Sequence, residues 1–124
     1  MGMGERSGGT FQTTRFTPMK PQTISVSVKN DHATIALRGE HEAYTADKLA
    51  KQLQALLQEG VGITLDLRET SFVDSTVVGV LIAARRRAEE RGLPFELLLG
   101  KQTGWPVRRI LEVTGLEQQF DVVG

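Results

Sequence analysis

The chain has 124 residues, 40% of them hydrophobic, which suffices for one domain built around a single core. Its 15 basic and 15 acidic residues give a net charge of zero, so no long-range field favours nucleic acid or an anionic membrane. The absence of cysteine excludes disulfides, thiolate nucleophiles and sulfur-ligated metals, and it fits a reducing compartment.

The amino-terminal part of the sequence differs in composition from the rest. Residues 1–21 are rich in Gly, Ser and Thr, which predicts a disordered tail ahead of a domain over residues 22–124. No apolar run reaches the length of about 18 residues that a membrane-spanning helix needs, and no hydrophobic segment near the start is typical of a secretory signal. We therefore expect a cytoplasmic protein.

The first half of the predicted domain begins with a hairpin. Apolar and polar residues alternate over residues 24–29, which predicts a half-buried strand, and the turn residues Asn30 and Asp31 lead to a partner strand over residues 34–37. Helical spacing of apolar residues predicts a first helix over residues 45–59, closed by Gly60 in a left-handed conformation. Residues 61–67 follow as a central strand.

The second half continues the alternation of helices and strands. After a short polar link and the pair Phe72-Val73, an apolar stripe from Val78 predicts a second helix that runs to residue 90. A strand over residues 95–99, a third helix from Trp105 to about Gly115 and a last strand within residues 116–123 complete the order β-β-α-β-α-β-α-β. This order predicts an α/β fold in which four to five strands of a mixed sheet are packed by three or four helices.

Several kinds of functional site are not supported by the sequence. Arg85 and Arg86 precede Glu89 and Glu90 by four residues, so helical ion pairs explain these arginines better than nucleic-acid binding does. Neither a phosphate-binding loop nor a dinucleotide fingerprint is present. The two histidines, His32 and His41, lack the spacing of metal ligands, and we predict that both are surface residues without a metal or cofactor.

Asp66 offers one phosphotransfer alternative. It lies within the apolar run of residues 63–67 and could be the phospho-accepting aspartate of a receiver-like protein. Such a site needs further acidic residues after an early strand to hold magnesium, whereas here that strand ends in Lys29-Asn30-Asp31. A turn-capping role for Asp66 is the simpler interpretation.

Three small oxygen-bearing residues, Asp74, Ser75 and Thr76, stand between the Phe72-Val73 pair and the second helix. Asp, Ser and Thr are preferred helix N-caps, so the first expectation is capping. The same position also suits regulation, because a hydroxyl at a helix N-terminus is accessible and that end accommodates a phosphate. The flanking glycines of a hydrolase nucleophile elbow are missing around Ser75.

The segment ITLDLRETSFVDSTVVGVL, residues 63–81, resembles the STAS family, and within it the stand-alone bacterial anti-sigma-factor antagonists. The family has a strand, a link and an Asp-Ser-Ser/Thr-Gly-Leu-Gly helix start in this place. Gly39-Glu40 resembles its early Gly-Glu step, Arg91-Gly92 its helix end, and residues 107–116 its third helix. The resemblance spans about residues 23–124.

This resemblance implies a regulatory role without catalysis. Ser75 would be the phospho-acceptor of an anti-sigma-factor serine kinase: the unphosphorylated protein binds the anti-sigma factor and frees the sigma factor, phosphorylation breaks the complex, and a serine phosphatase restores it. With no pattern that fixes an oligomeric state, a monomer is the default expectation. The partner-contact surface implied by the family consists of Gly39, Glu40, Glu42, Asp74, Ser75, Thr76, Val77 and Val78.

Two departures from the family pattern leave alternatives open. Val77 stands where the family usually has glycine, and His41-Glu42 stands where it usually has Leu-Asp. One alternative within the fold is a STAS module that meets no kinase and serves as a scaffold or as a subunit of a transporter complex. The alternative from another class is the receiver-like protein built on Asp66.

Overall fold

A computed structural model describes residues 22–116 and the backbone of residues 121–123; the predicted tail over residues 1–21 lies outside this part. Six strands and three helices are seen in it. In chain order they are β1 (Thr23–Lys29), β2 (His32–His41), α1 (Ala43–Gln58), β3 (Gly62–Asp66), β4 (Thr70–Val73), α2 (Ser75–Glu90), β5 (Phe95–Leu98), α3 (Trp105–Thr114) and β6 (Asp121–Val123).

The strands form one mixed sheet in the order β1-β2-β3-β5-β6. Strands β1 and β2 are antiparallel and joined by Asn30 and Asp31, whose positive φ angles of 52° and 64° are typical of a tight hairpin turn. The pairs β2-β3, β3-β5 and β5-β6 are parallel. The predicted mixed α/β fold is therefore confirmed.

Helices α1 and α2 pack against each other and over one face of the sheet. The alternating residues of β2, β3 and β5 point into this layer, where Ile35, Leu65 and Leu97 are fully buried. Leu53 of α1 and Leu81 of α2 are buried in the same core. None of the helices described within residues 22–116 is long and apolar enough to cross a membrane.

The structure differs from the predicted elements at two strands. The short strand β4, which the sequence did not predict, pairs in parallel with the carboxyl end of β2, from Gly39 opposite Thr70 to His41 opposite Val73. Strand β1 was predicted to be half-buried, but Val26 and Val28 are exposed. The reason is that α1 and α2 contact β2, β3 and β5, whereas β1 forms the sheet edge beyond them.

Candidate functional site

The amino ends of all three helices lie at the same end of the sheet. Strands β2, β4 and β5 run parallel and each leads into a helix, so α1, α2 and α3 all begin beyond the carboxyl ends of these strands. The first helical residues there are Ala43, Ser75 and Trp105. Because the first N–H groups of a helix lack intrahelical acceptors, this end carries a partial positive charge.

Asp74 is the N-cap of α2, as its position in the sequence predicted. Its Oδ1 accepts hydrogen bonds from the N–H of Val77, at 3.1 Å, and from the hydroxyl of Thr76. Its Oδ2 accepts a hydrogen bond from the N–H of Ala43, at 3.2 Å, and its own N–H donates to the carbonyl of His41, also at 3.2 Å. One carboxylate therefore satisfies backbone donors of both α1 and α2.

These hydrogen bonds also set the charge of Asp74. The bond from the Thr76 hydroxyl, followed by those from the backbone N–H groups of Val77, Ala43 and Thr76, holds the pKa of the Asp74 carboxyl below its usual value. Asp74 is therefore ionised at neutral pH, directly beside Ser75.

Ser75 is the first residue of α2 and is exposed to solvent, as is Thr76. The sequence predicted a hydroxyl at a helix N-terminus, and the structure places it there. Its surroundings can accept a phosphate without loss of the helix, because the partial charge at a helix N-terminus is positive.

The two valines after Ser75 do not belong to this surface. Val77 and Val78 are buried, because they begin the core-facing stripe of α2 that continues through Leu81 and Ala84. The partner contacts at Val77 and Val78 stay a prediction, and in this conformation both side chains are buried in the core. Since the Val77 side chain points into the core, it does not obstruct access to Ser75.

The end of β2 supplies the other predicted contact residues. Gly39 is buried, has a φ of 80° that favours glycine, and donates its N–H to the carbonyl of Glu69 at 3.1 Å. It shapes the strand end and offers no side chain. Glu40 and Glu42 are exposed on either side of His41, and neither forms an ion pair with a residue of the described range 22–116.

His41 was predicted at the surface but is buried. Its Nε2 donates to the carbonyl of Arg38 at 2.8 Å, so its Nδ1, 3.1 Å from the Thr45 hydroxyl, is the acceptor in the neutral ring. Burial lowers the pKa of His41, against the opposing effect of the Arg38 carbonyl. A neutral imidazole thus takes the place of an apolar residue and connects the end of β2 to the first turn of α1.

Asp66 is held by its neighbour Arg68. The Arg68 guanidinium donates from Nε to Oδ1 at 3.0 Å and from the second nitrogen, Nη2, to Oδ2 at 2.9 Å, and these bonds lower the pKa of Asp66. The Arg68 N–H also donates to Oδ1 at 3.0 Å, which is the predicted turn-capping role. Among the described residues, no group of three or more His, Asp or Glu side chains is placed to hold a metal ion.

Three exposed aromatic residues lie at the same end of the sheet and were not singled out from the sequence. They are Tyr44 in the first turn of α1, Phe72 in β4 and Trp105 at the start of α3. Helical spacing could have predicted the exposure of Tyr44 and Trp105. Each lies two positions before a buried residue, Ala46 or Val107, and so about 200° around the helix from it, on the opposite face.

Comparisons with known proteins match this fold and this site region. The family model described as "Mlab, STAS domain" matches residues 24–124. The anti-sigma-B factor antagonist of Listeria monocytogenes is 34% identical over 103 residues, which cover 80% of this chain and 88% of that protein.

Two solved structures share the fold at lower identity. The anti-sigma factor antagonist from Mycobacterium paratuberculosis superposes with a TM-score of 0.70 at 20% identity, covering 83% of this chain and 86% of that one. The Bacillus cell fate determinant SpoIIAA in its phosphorylated form superposes with a TM-score of 0.66 at 19% identity, covering 82% of this chain and 92% of that one.

Proposed function

The chain belongs to the STAS domain family, and from that premise we propose that it is a cytoplasmic anti-sigma-factor antagonist switched by phosphorylation of Ser75. In its unphosphorylated form it binds an anti-sigma-factor serine kinase and so frees a sigma factor. Phosphorylation of Ser75 ends this binding, and a serine phosphatase restores it. The role is regulatory, with Ser75 as a substrate of another enzyme.

The observation that carries this proposal is the placement of Ser75. It is exposed at the first position of α2, beside the ionised carboxylate of Asp74 and at the end of the sheet where Glu40 and Glu42 also face solvent. A kinase can reach such a hydroxyl without unfolding the domain, because the helix is capped by Asp74 and does not depend on the Ser75 side chain.

Electrostatics explains how one phosphate ends binding. A phosphoserine adds a charge of about −1.5 to −2 at neutral pH, next to a carboxylate and in the centre of the proposed contact surface. When a partner excludes water from this surface, the phosphate must be desolvated and its repulsion by the neighbouring Asp74 carboxylate is no longer screened, so binding is disfavoured. The domain itself stays folded, because the new charge lies at the positive end of α2.

The proposed contact surface is narrower than the one implied by the family pattern. Its exposed or half-buried members are Glu40, Glu42, Asp74, Ser75 and Thr76, from two chain segments that the Asp74 carboxylate joins. A complementary partner presents basic side chains to Glu40 and Glu42, since neither forms an ion pair with a described residue.

The test is phosphorylation by the anti-sigma-factor kinases of the same organism in the presence of ATP and Mg²⁺, followed by peptide mass spectrometry. We expect a single acid-stable phosphate on Ser75, absent from Ser75→Ala and retained in Thr76→Ala, the matched control with a neighbouring exposed hydroxyl. Phosphate on Thr76, or none from any candidate kinase, contradicts the proposal. A stable complex that ignores every substitution at Ser75 points to the scaffold or transporter-subunit alternative.

A further inference from the structure

The sole tryptophan and the sole tyrosine of the chain are both strongly exposed at the end of the sheet that carries Ser75. Trp105 is 74% exposed and Tyr44 is 73% exposed, while Phe72 is 39% exposed. Large aromatic side chains left in water forgo the free energy of burial, and Trp and Tyr are enriched among the residues that dominate protein interfaces. Their position therefore points to a partner.

The backbone that leads into Trp105 is packed against β4. The residue before it, Gly104, donates its N–H to the carbonyl of Thr70 at 2.8 Å. A Cβ atom on Gly104 would lie 2.3 Å from the carbonyl oxygen of Ser71, so only glycine allows this close approach. The start of α3 is thus packed directly against the strand that leads to Ser75.

Phe72 connects this region to the acidic part of the surface. It lies opposite Glu40 in the parallel β2-β4 ladder, so the two side chains project from the same face. On the other flank, Tyr44 follows Ala43, whose N–H is bound by Asp74, and the ammonium group of Lys48 lies 5.7 Å from the centre of the tyrosine ring.

The distances allow one partner to cover these residues together with Ser75. Ser71 precedes Ser75 by four residues, which span at most about 14 Å of extended chain, and Gly104 contacts Ser71. A standard interface buries about 800 Å² on each protein, equivalent to a disc of roughly 16 Å radius. A patch centred near Phe72 and of this size reaches both Ser75 and Trp105.

We propose that Tyr44, Phe72 and Trp105 are the aromatic anchors by which this chain docks on the same anti-sigma-factor kinase that phosphorylates Ser75. This inference rests on the proposed function and adds the recognition chemistry. The partner surface it requires has apolar pockets for the rings, bordered by Lys or Arg side chains that face Glu40 and Glu42. The anchors contribute affinity to the complex of the unphosphorylated chain, and the charge at Ser75 controls whether that complex persists.

Binding of the anchors has a kinetic consequence for phosphorylation. Contacts that are equal in the ground state and in the transition state lower KM without changing kcat. Loss of an anchor should therefore raise the KM of the kinase for this chain and leave kcat close to that of the wild type. A substitution that merely disturbs the fold near Ser75 lowers kcat as well.

The experiment compares the affinity of the purified kinase for the wild-type chain, Trp105→Ala, Tyr44→Ala and Val113→Ala. Val113 is the matched control, since it is 68% exposed on the same helix as Trp105 and lies eight residues away, about 12 Å along the axis. We expect Trp105→Ala and Tyr44→Ala each to weaken binding about tenfold or more. Val113→Ala should stay within about twofold of the wild type, as expected for a residue outside the hot spot.

The emission of Trp105 provides a second readout, since it is the only tryptophan of the chain. With Trp105→Phe as the blank for the kinase's own emission, the Trp105 signal should shift to the blue and lose access to acrylamide in the complex. The anchor inference is overturned if both alanine variants bind as tightly as the wild type and acrylamide still quenches Trp105 in the wild-type complex. In that case the proposed function stands. If no kinase binds even the wild type, the proposed function fails.

Discussion

The Oδ2 atom of Asp74 lies 3.2 Å from the backbone nitrogen of Ala43 and accepts its hydrogen bond. Through this contact the carboxylate that caps α2 also binds the first residue of α1, 31 positions earlier in the chain. The two segments that carry the proposed contact surface are therefore held together by the residue next to Ser75.

The first prediction concerns this double cap. Asp74→Ala removes the acceptor for donors of both helices and should lower the free energy of unfolding by about 1 kcal/mol, within the usual range for N-caps. Asp74→Asn keeps an acceptor oxygen, so it should lower the free energy of unfolding by less than Asp74→Ala does. Urea unfolding measures both, with Ser75→Ala as the neighbouring control. An Asp74→Ala variant as stable as Ser75→Ala would contradict the capping role.

The second prediction concerns pH. The pKa of His41 is lowered in the folded domain, so below its ordinary value of about 6.5 the unfolded chain binds a proton more readily than the folded chain does. The stabilising contribution of the neutral ring is complete above that pH and is lost as the pH falls. The free energy of unfolding should decrease by at most about 1.4 kcal/mol per pH unit from this one proton.

The matched variant for this measurement is His41→Leu, which restores an apolar side chain at a buried position. Its free energy of unfolding should depend less on pH between about 7.5 and 5.5 than that of the wild type, since the titrating ring is gone. The Asp66 and Asp74 carboxyls titrate below this window, because their pKa values are lowered as well. Equal slopes for the wild type and His41→Leu would contradict the assignment.

The third prediction compares two glycines. In Gly104→Ala the new methyl group meets the backbone oxygen of Ser71, so β4 and α3 must move apart and the domain should be clearly destabilised. In Gly79→Ala the methyl group meets nothing within 4 Å on the exposed side of α2. The free energy of unfolding should therefore rise by about 0.5–1 kcal/mol, because alanine favours the helix over glycine. Thermal unfolding of both variants should show melting temperatures that move in opposite directions.

The sequence predicted the parts of this structure that depend on local chemistry. The helical spacing, the cap at Asp74 and the helix start at Trp105 follow from residues close together in the chain. Strand β4 was missed, because four residues carry too little periodicity and their ladder partner, the end of β2, is distant in sequence. The burial of His41 was missed for a similar reason, since the surroundings that bury it are tertiary.

The exposure of the predicted contact residues likewise depends partly on local sequence and partly on tertiary packing. Ser75 and Thr76 face solvent, as their place at a helix start indicated. The family pattern extends the contact surface to Val77 and Val78, whose side chains are buried in the core. The packing of α2 against α1 and the sheet determines which face of α2 is buried, and this packing depends on residues distant in sequence.

The fourth prediction concerns the phosphorylated domain. A phosphate on Ser75 lies at the positive end of α2, where a negative charge contributes typically about 0.3–1 kcal/mol to helix stability. The phosphorylated chain should thus unfold at a temperature no lower than the unmodified chain, and its circular dichroism should be unchanged. A marked loss of stability on phosphorylation would mean that the switch acts by unfolding.

The most direct measurement is the affinity of the anti-sigma-factor kinase for the unmodified chain, the Ser75-phosphorylated chain and Ser75→Ala under identical conditions. We expect the unmodified chain and Ser75→Ala to bind equally well, and phosphorylation to weaken binding at least about a hundredfold, the effect of a coupling of about 2.7 kcal/mol. Equal affinity of the phosphorylated and unmodified chains would contradict the central claim that charge at Ser75 controls partner binding.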